Sequence, residues 1–115
     1  MEARTKNVLE PLAFLFQLIT GILLFVFVIY HLYVTHLAEH DALSYEKVVE
    51  RLANPSFKVA YFVFLAVVSF HAFNGLRAII LDTDFGARNK RAVDVLCFAL
   101  FVIATAYGSL LLISF

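Results

Sequence analysis

PLAFLFQLITGILLFVFVIYHLYVTHL, residues 11–37, contains no Asp, Glu, Lys or Arg. As an α-helix these 27 residues reach about 40 Å, enough to cross a ~30 Å hydrocarbon layer with tilt. The run is too long for a signal-peptide core, and no small-residue cleavage site comes after it. Outward from it, residues 57–81 form a second span, interrupted by Lys58 at its edge and by Arg77. Residues 93–115 form a third, with Asp94 at its start. In lipid a backbone must satisfy its own polar groups, which three helices do and so few strands could not. The expected fold class is therefore an all-α membrane protein, a single domain over residues 1–115 with three transmembrane helices.

Composition agrees. Hydrophobic residues make up 63% of the 115, charged residues 16%, and the mean hydropathy is +0.89. A water-soluble domain of this size has too much surface to cover with so few charges. The formal net charge is zero, so nothing points to nucleic acid. The one cysteine, Cys97, excludes an intrachain disulfide and lies in an apolar run, as a small core residue would. Zinc-ligand spacings, a Gly-rich phosphate loop and a nucleophile elbow are absent, which speaks against chemistry by this chain alone.

Lys and Arg set the expected direction. Arg4 and Lys6 precede the first span; Arg77, Arg88, Lys90 and Arg91 cluster between the second and third. Lys47, Arg51 and Lys58 lie between the first and second. Six against three places the N-terminus in the cytoplasm. In SYEKVVERLANP, residues 44–55, the apolar Tyr45, Val48, Val49 and Leu52 recur at helical spacing. This predicts a short amphipathic helix over about 44–54, on the outer membrane surface or as a solvated connector. Tyr30, Tyr33 and Tyr107 suit an outer aromatic belt. Ala104 and Gly108 form a small-xxx-small pair suited to close helix packing.

The second span carries HAFNGLRAIILD, residues 71–82, where ionisable groups sit at membrane depth. On a helix, Gly75 lies about 40° and Asp82 about 20° from His71, so one stripe presents imidazole, glycine and carboxylate. A His at this depth is a candidate heme ligand, and Gly75 would let a flat macrocycle approach the backbone. Arg77 needs an anion or must snorkel, and a heme propionate would be such an anion. The same residues admit a plainer reading: His71 hydrogen-bonded to a neighbouring helix, Arg77 an interfacial anchor, Asp82 a helix-end residue.

His31 is the second candidate. It lies about 27 Å from the cytoplasmic start of its span, His71 about 15 Å from the cytoplasmic end of its own. With ~12 Å of depth between them, the two cannot ligate one iron, because metal–imidazole bonds are only ~2 Å long. If both bind heme there are two hemes, each taking its second ligand from another chain. His36 rivals His31 as an outer ligand; His40, in AEHDA, reads as a loop residue.

His71, Gly75, Arg77 and Asp82, as H-x3-G-x-R-x4-D, resemble the second-helix motif of succinate dehydrogenase and fumarate reductase membrane anchors. QLITG, residues 17–21, is similar to that family's first-helix signature, and Gly21 to His31 to the step in anchors carrying two hemes. Leu18, beside Gln17, stands where many relatives carry Arg, and Thr83 comes after Asp82 where a Tyr would be expected. The first departure points to the other anchor chain as the source of the main quinone-binding arginine or serine. The resemblance implies a bundle packed with a second anchor chain, in complex with a flavoprotein and an iron–sulfur protein in a prokaryotic cell membrane. It implies heme b on His71, a second heme b on His31, Arg77 near propionate or quinone, and Asp82 in the quinone environment. The chain would be non-catalytic alone. A heme-free fumarate reductase anchor and an unrelated small accessory membrane subunit are the competing readings.

Overall fold

A computed structural model describes residues 9–115. Arg4 and Lys6, two of the six cations counted toward a cytoplasmic N-terminus, lie outside the described residues. The described chain is helical almost throughout, with no strand among the described residues. Helix α1 runs Leu9–Leu32 and continues through a π-helical turn, Tyr33–Leu37. Helix α2 is Tyr45–Ala53, α3 Pro55–Leu81, α4 the short Asp84–Arg88, and α5 Lys90–Ile113. Three helices are long and apolar enough to cross a membrane: α1 with its π-turn, α3 and α5.

Local chemistry sets the boundaries. Ser44 caps α2, its hydroxyl accepting from the Lys47 amide. Asn54 ends α2 and begins α3: its Oδ1 accepts from the Ser56 N–H at 2.9 Å, and Pro55 occupies the first turn, where no amide donor is needed. Thr83 caps α4 through the Gly86 N–H at 3.0 Å. Gly86 is obligatory there, because a Cβ would run into the Ile80 carbonyl. On α2, Lys47 lies 3.5 Å from Glu39, whose negative charge holds the ammonium above its ordinary pKa.

The three long helices are not equivalent. α3 packs against both α1 and α5, whereas α1 and α5 scarcely meet. Small and aromatic residues make the seams. Phe16 meets Phe70 and Phe27 meets Phe64 edge to face across α1–α3, at ring-centroid distances of 6.3 and 5.7 Å. On α5, Gly108 of the small-residue pair receives Leu65 of α3; a Cβ there would lie 2.7 Å from Leu65 Cδ2. Cys97 is buried, as its apolar surroundings predict. Among the described residues Ala42, Val93 and Cys97 are the only buried hydrophobics, and most large apolar side chains face outward, as lipid-facing helices require.

Candidate functional site

The first site is built where α1 crosses α3. His71 lies half-buried on α3, and its Nδ1 is 3.1 Å from Thr20 Oγ1 on α1. Thr20 is buried, and its hydroxyl donates to the Phe16 carbonyl at 2.7 Å. Gly21 faces the ring: a Cβ there would stand 3.4 Å from His71 Cε1, an ordinary van der Waals contact. One step toward Arg77, Gln17 Nε2 donates to the His71 carbonyl at 3.2 Å, and Gln17 Oε1 accepts from Asn74 Nδ2 at 2.8 Å. Asn74 also donates to the Ala13 carbonyl at 3.2 Å. The other ring nitrogen of His71, Nε2, has no hydrogen-bond partner among the described residues.

Gly75 faces α1, and Gln17 reaches into the space it leaves: a Cβ on Gly75 would lie 2.9 Å from Gln17 Nε2. The glycine thus permits a polar side chain to cross from α1.

Arg77 sits at one end of the bundle, tied to carboxylates of its own chain. Its Nε donates to Asp94 Oδ1 of α5 at 2.6 Å, and Nη2 and Nη1 donate to Glu10 Oε1 and Oε2 of α1 at 2.7 and 3.3 Å. Lys90 completes the cluster, 2.8 Å from Asp94 Oδ2 and 3.7 Å from Glu10 Oε1. Two cations thus meet two anions. Any further anion reaching Arg77 must compete with these carboxylates. Asp82 caps the C-terminus of α3, exposed, and its carboxylate has no ion-pair partner among the described residues. Beside the cluster, a 370 Å³ groove between α3 and α5 is walled by Phe70, Phe73, Phe98 and Phe101, with Asn74, Arg77 and Asp94 on its rim.

His31 lies toward the opposite end. Its ring stacks on Phe64 with 22° between planes and stands edge-on to Tyr61, whose hydroxyl is 3.5 Å from Nδ1. The pocket around it, about 80 Å³, is almost wholly apolar. Cross-helix neighbours now measure depth. Thr20, level with His71, and His31 are 11 residues apart on α1, about 16 Å; Tyr61, level with His31, and His71 are 10 apart on α3, about 15 Å. Both helices put the imidazoles well beyond reach of one metal. His36 is exposed in the π-turn, and His40 lies in the loop beyond it.

Sequence reasoning singled out His71, His31, Arg77 and Asp82 but passed over Thr20 as a hydroxyl, Gln17 and Asn74 as an amide pair, and Glu10 as a counterion. One signal was available. An intramembrane Arg with no acid a helical turn away must find its anion on another helix.

Comparison with known proteins agrees with the motifs. The profile described as succinate dehydrogenase/fumarate reductase transmembrane subunit matches residues 5–110. The succinate dehydrogenase hydrophobic membrane anchor subunit of Archaeoglobus fulgidus is 57% identical over 109 residues, 95% of this chain and 93% of its own. The like-named subunit of Thermoplasma acidophilum is 31% identical over 96 residues, 83% and 78% of the two chains. No solved structure gives a significant match. The reading as an unrelated accessory membrane protein is thereby excluded: the chain belongs to the succinate dehydrogenase/fumarate reductase transmembrane subunit family.

Proposed function

We propose that the chain is a membrane anchor of a succinate:quinone oxidoreductase, binding heme b through His71 and helping to form the quinone site. The observation that carries the heme reading is the state of His71. One ring nitrogen is held inside the chain, and the other has no hydrogen-bond partner among the described residues. An axial imidazole has this arrangement, its second nitrogen oriented by a neighbouring acceptor. Family membership supplies the context.

Heme b, when bound, supplies a one-electron relay between the iron–sulfur protein and quinone. The chain's own residues do the rest. His71 offers Nε2 as the ligand, and the Thr20 hydroxyl orients the ring. His31, about 15 Å farther along the bundle in its apolar pocket, would hold a second heme b. Each heme would take its other ligand from the partner anchor. Arg77 brings positive charge to the end where electrons arrive, near a propionate or the quinone, and the aromatic groove on its flank supports that placement. Asp82, exposed at the end of α3, is available to move a proton toward quinone.

The working complex comprises a flavoprotein, an iron–sulfur protein and two anchors in a prokaryotic cell membrane, with this chain's N-terminus cytoplasmic. The reduced-minus-oxidised optical spectrum of the intact complex tests the reading. His71→Leu is expected to remove the bis-imidazole band of the inner heme. A wild-type spectrum in that variant, or no heme band in the wild type, overturns it in favour of a heme-free anchor.

A further inference from the structure

The hydrogen bond between Thr20 and His71 is directional, and its direction decides what the imidazole can do. Thr20 Oγ1 has one proton and three neighbours: the Phe16 carbonyl at 2.7 Å, the Gln17 carbonyl at 3.1 Å and His71 Nδ1 at 3.1 Å. Carbonyl oxygens only accept, and the shortest of the three contacts is to one. A hydroxyl whose proton lies on Phe16 has only lone pairs to offer the ring. Nδ1 must then carry the proton, and Nε2 is left with its lone pair. The opposite arrangement would leave an N–H at Nε2 with no acceptor among the described residues, a cost at membrane depth, where no water stands in for one.

We infer that Thr20 is the positioning residue that selects the tautomer of His71 and raises the donor strength of Nε2. The inference rests on the reading of His71 as a heme b ligand. It gives the threonine of α1 a role toward α3: its hydroxyl presets an imidazole there. An acceptor on the distal N–H makes a ligating imidazole more basic and favours the oxidised iron, so losing it should raise the midpoint potential of the inner heme.

The test uses the assembled complex carrying Thr20→Val, which keeps the shape and removes the hydroxyl, and Thr20→Ser, which keeps the hydroxyl. Heme content is read optically and the inner heme's midpoint potential by redox titration, with His71→Leu as reference. The expected result is a potential shifted upward in Thr20→Val and restored in Thr20→Ser. Complete loss of the inner heme in the Val variant, with retention at wild-type potential in the Ser variant, also assigns the effect to the hydroxyl. Val and Ser variants that behave alike, whether both like wild type or both damaged, overturn the inference. If His71→Leu leaves the spectrum intact, the heme reading itself has failed, an outcome distinct from either.

Discussion

Arg77 grips Glu10 through both terminal nitrogens, 2.7 and 3.3 Å from the two carboxylate oxygens, across 67 residues of chain. Its remaining nitrogen, Nε, reaches Asp94 at 2.6 Å. Glu10 is on α1, Arg77 on α3 and Asp94 on α5, so one planar guanidinium joins three helices. The fork matters, because a Lys ammonium in its place is a point charge and cannot hold two carboxylates in the same geometry.

Arg77→Lys is therefore expected to lower the melting temperature of the detergent-solubilised complex, at a cost of about 1–3 kcal/mol for the weakened charged hydrogen bonds. Arg77→Gln should cost more, because Glu10 and Asp94 would then share Lys90 alone. Heme potential and quinone kinetics measured on the same Lys variant separate two roles. A change in either supports the place near propionate or quinone, whereas a lower melting temperature with both unaltered makes the clamp the whole role.

Gly108→Ala should loosen the α3–α5 seam. The new methyl would sit 2.7 and 2.8 Å from the two Leu65 methyls, and overpacking of this kind costs about 1–3 kcal/mol. Pairing it with Leu65→Val should recover part of the loss in a thermal or denaturant melt. Equal melting of Gly108→Ala and wild type would mean that Leu65 moves aside freely.

Asp82→Asn is expected to slow quinone reduction several-fold while leaving succinate oxidation by an artificial acceptor intact. The motive is an exposed carboxylate at the end of α3 with no ion-pair partner among the described residues. Equal decline of the two activities would point to assembly instead.

His31→Ala should remove one of two hemes b and spare the one on His71, since about 15 Å of helix separates the two rings. Heme extraction together with redox titration reads this directly. One heme in the wild-type complex sinks the second site, and selective loss in His36→Ala transfers it to the π-turn.

The helices were legible because the absence of charge over 11–37 and the Asn54-Pro55 stop are properties of the chain itself. The cross-helix partners were not. Periodicity puts His71, Gly75 and Asp82 on one stripe, but it cannot say what stands opposite. Gly75 illustrates the difficulty: missing side-chain volume reads the same whatever reaches into it, and here Gln17 does. Arg77's need for an anion came from lipid, yet choosing Glu10 and Asp94 required the axial register of α1 and α5 against α3. Thr20 was visible as part of a motif, but its action on His71 depends on a 3.1 Å contact between residues 51 apart.

The π-turn at Tyr33–Leu37 bears on how this chain tolerates change. Ala38 N–H reaches back five residues to the Tyr33 carbonyl at 2.9 Å, so the turn contains one residue more than ordinary winding. Deleting one of those five would return the turn to α winding, because the wide loop of backbone is where a surplus residue is taken up. His31 lies before the turn, held by Tyr61 and Phe64 of another helix. Loss of a single codon in the turn is therefore expected to leave that imidazole on its aromatic partners.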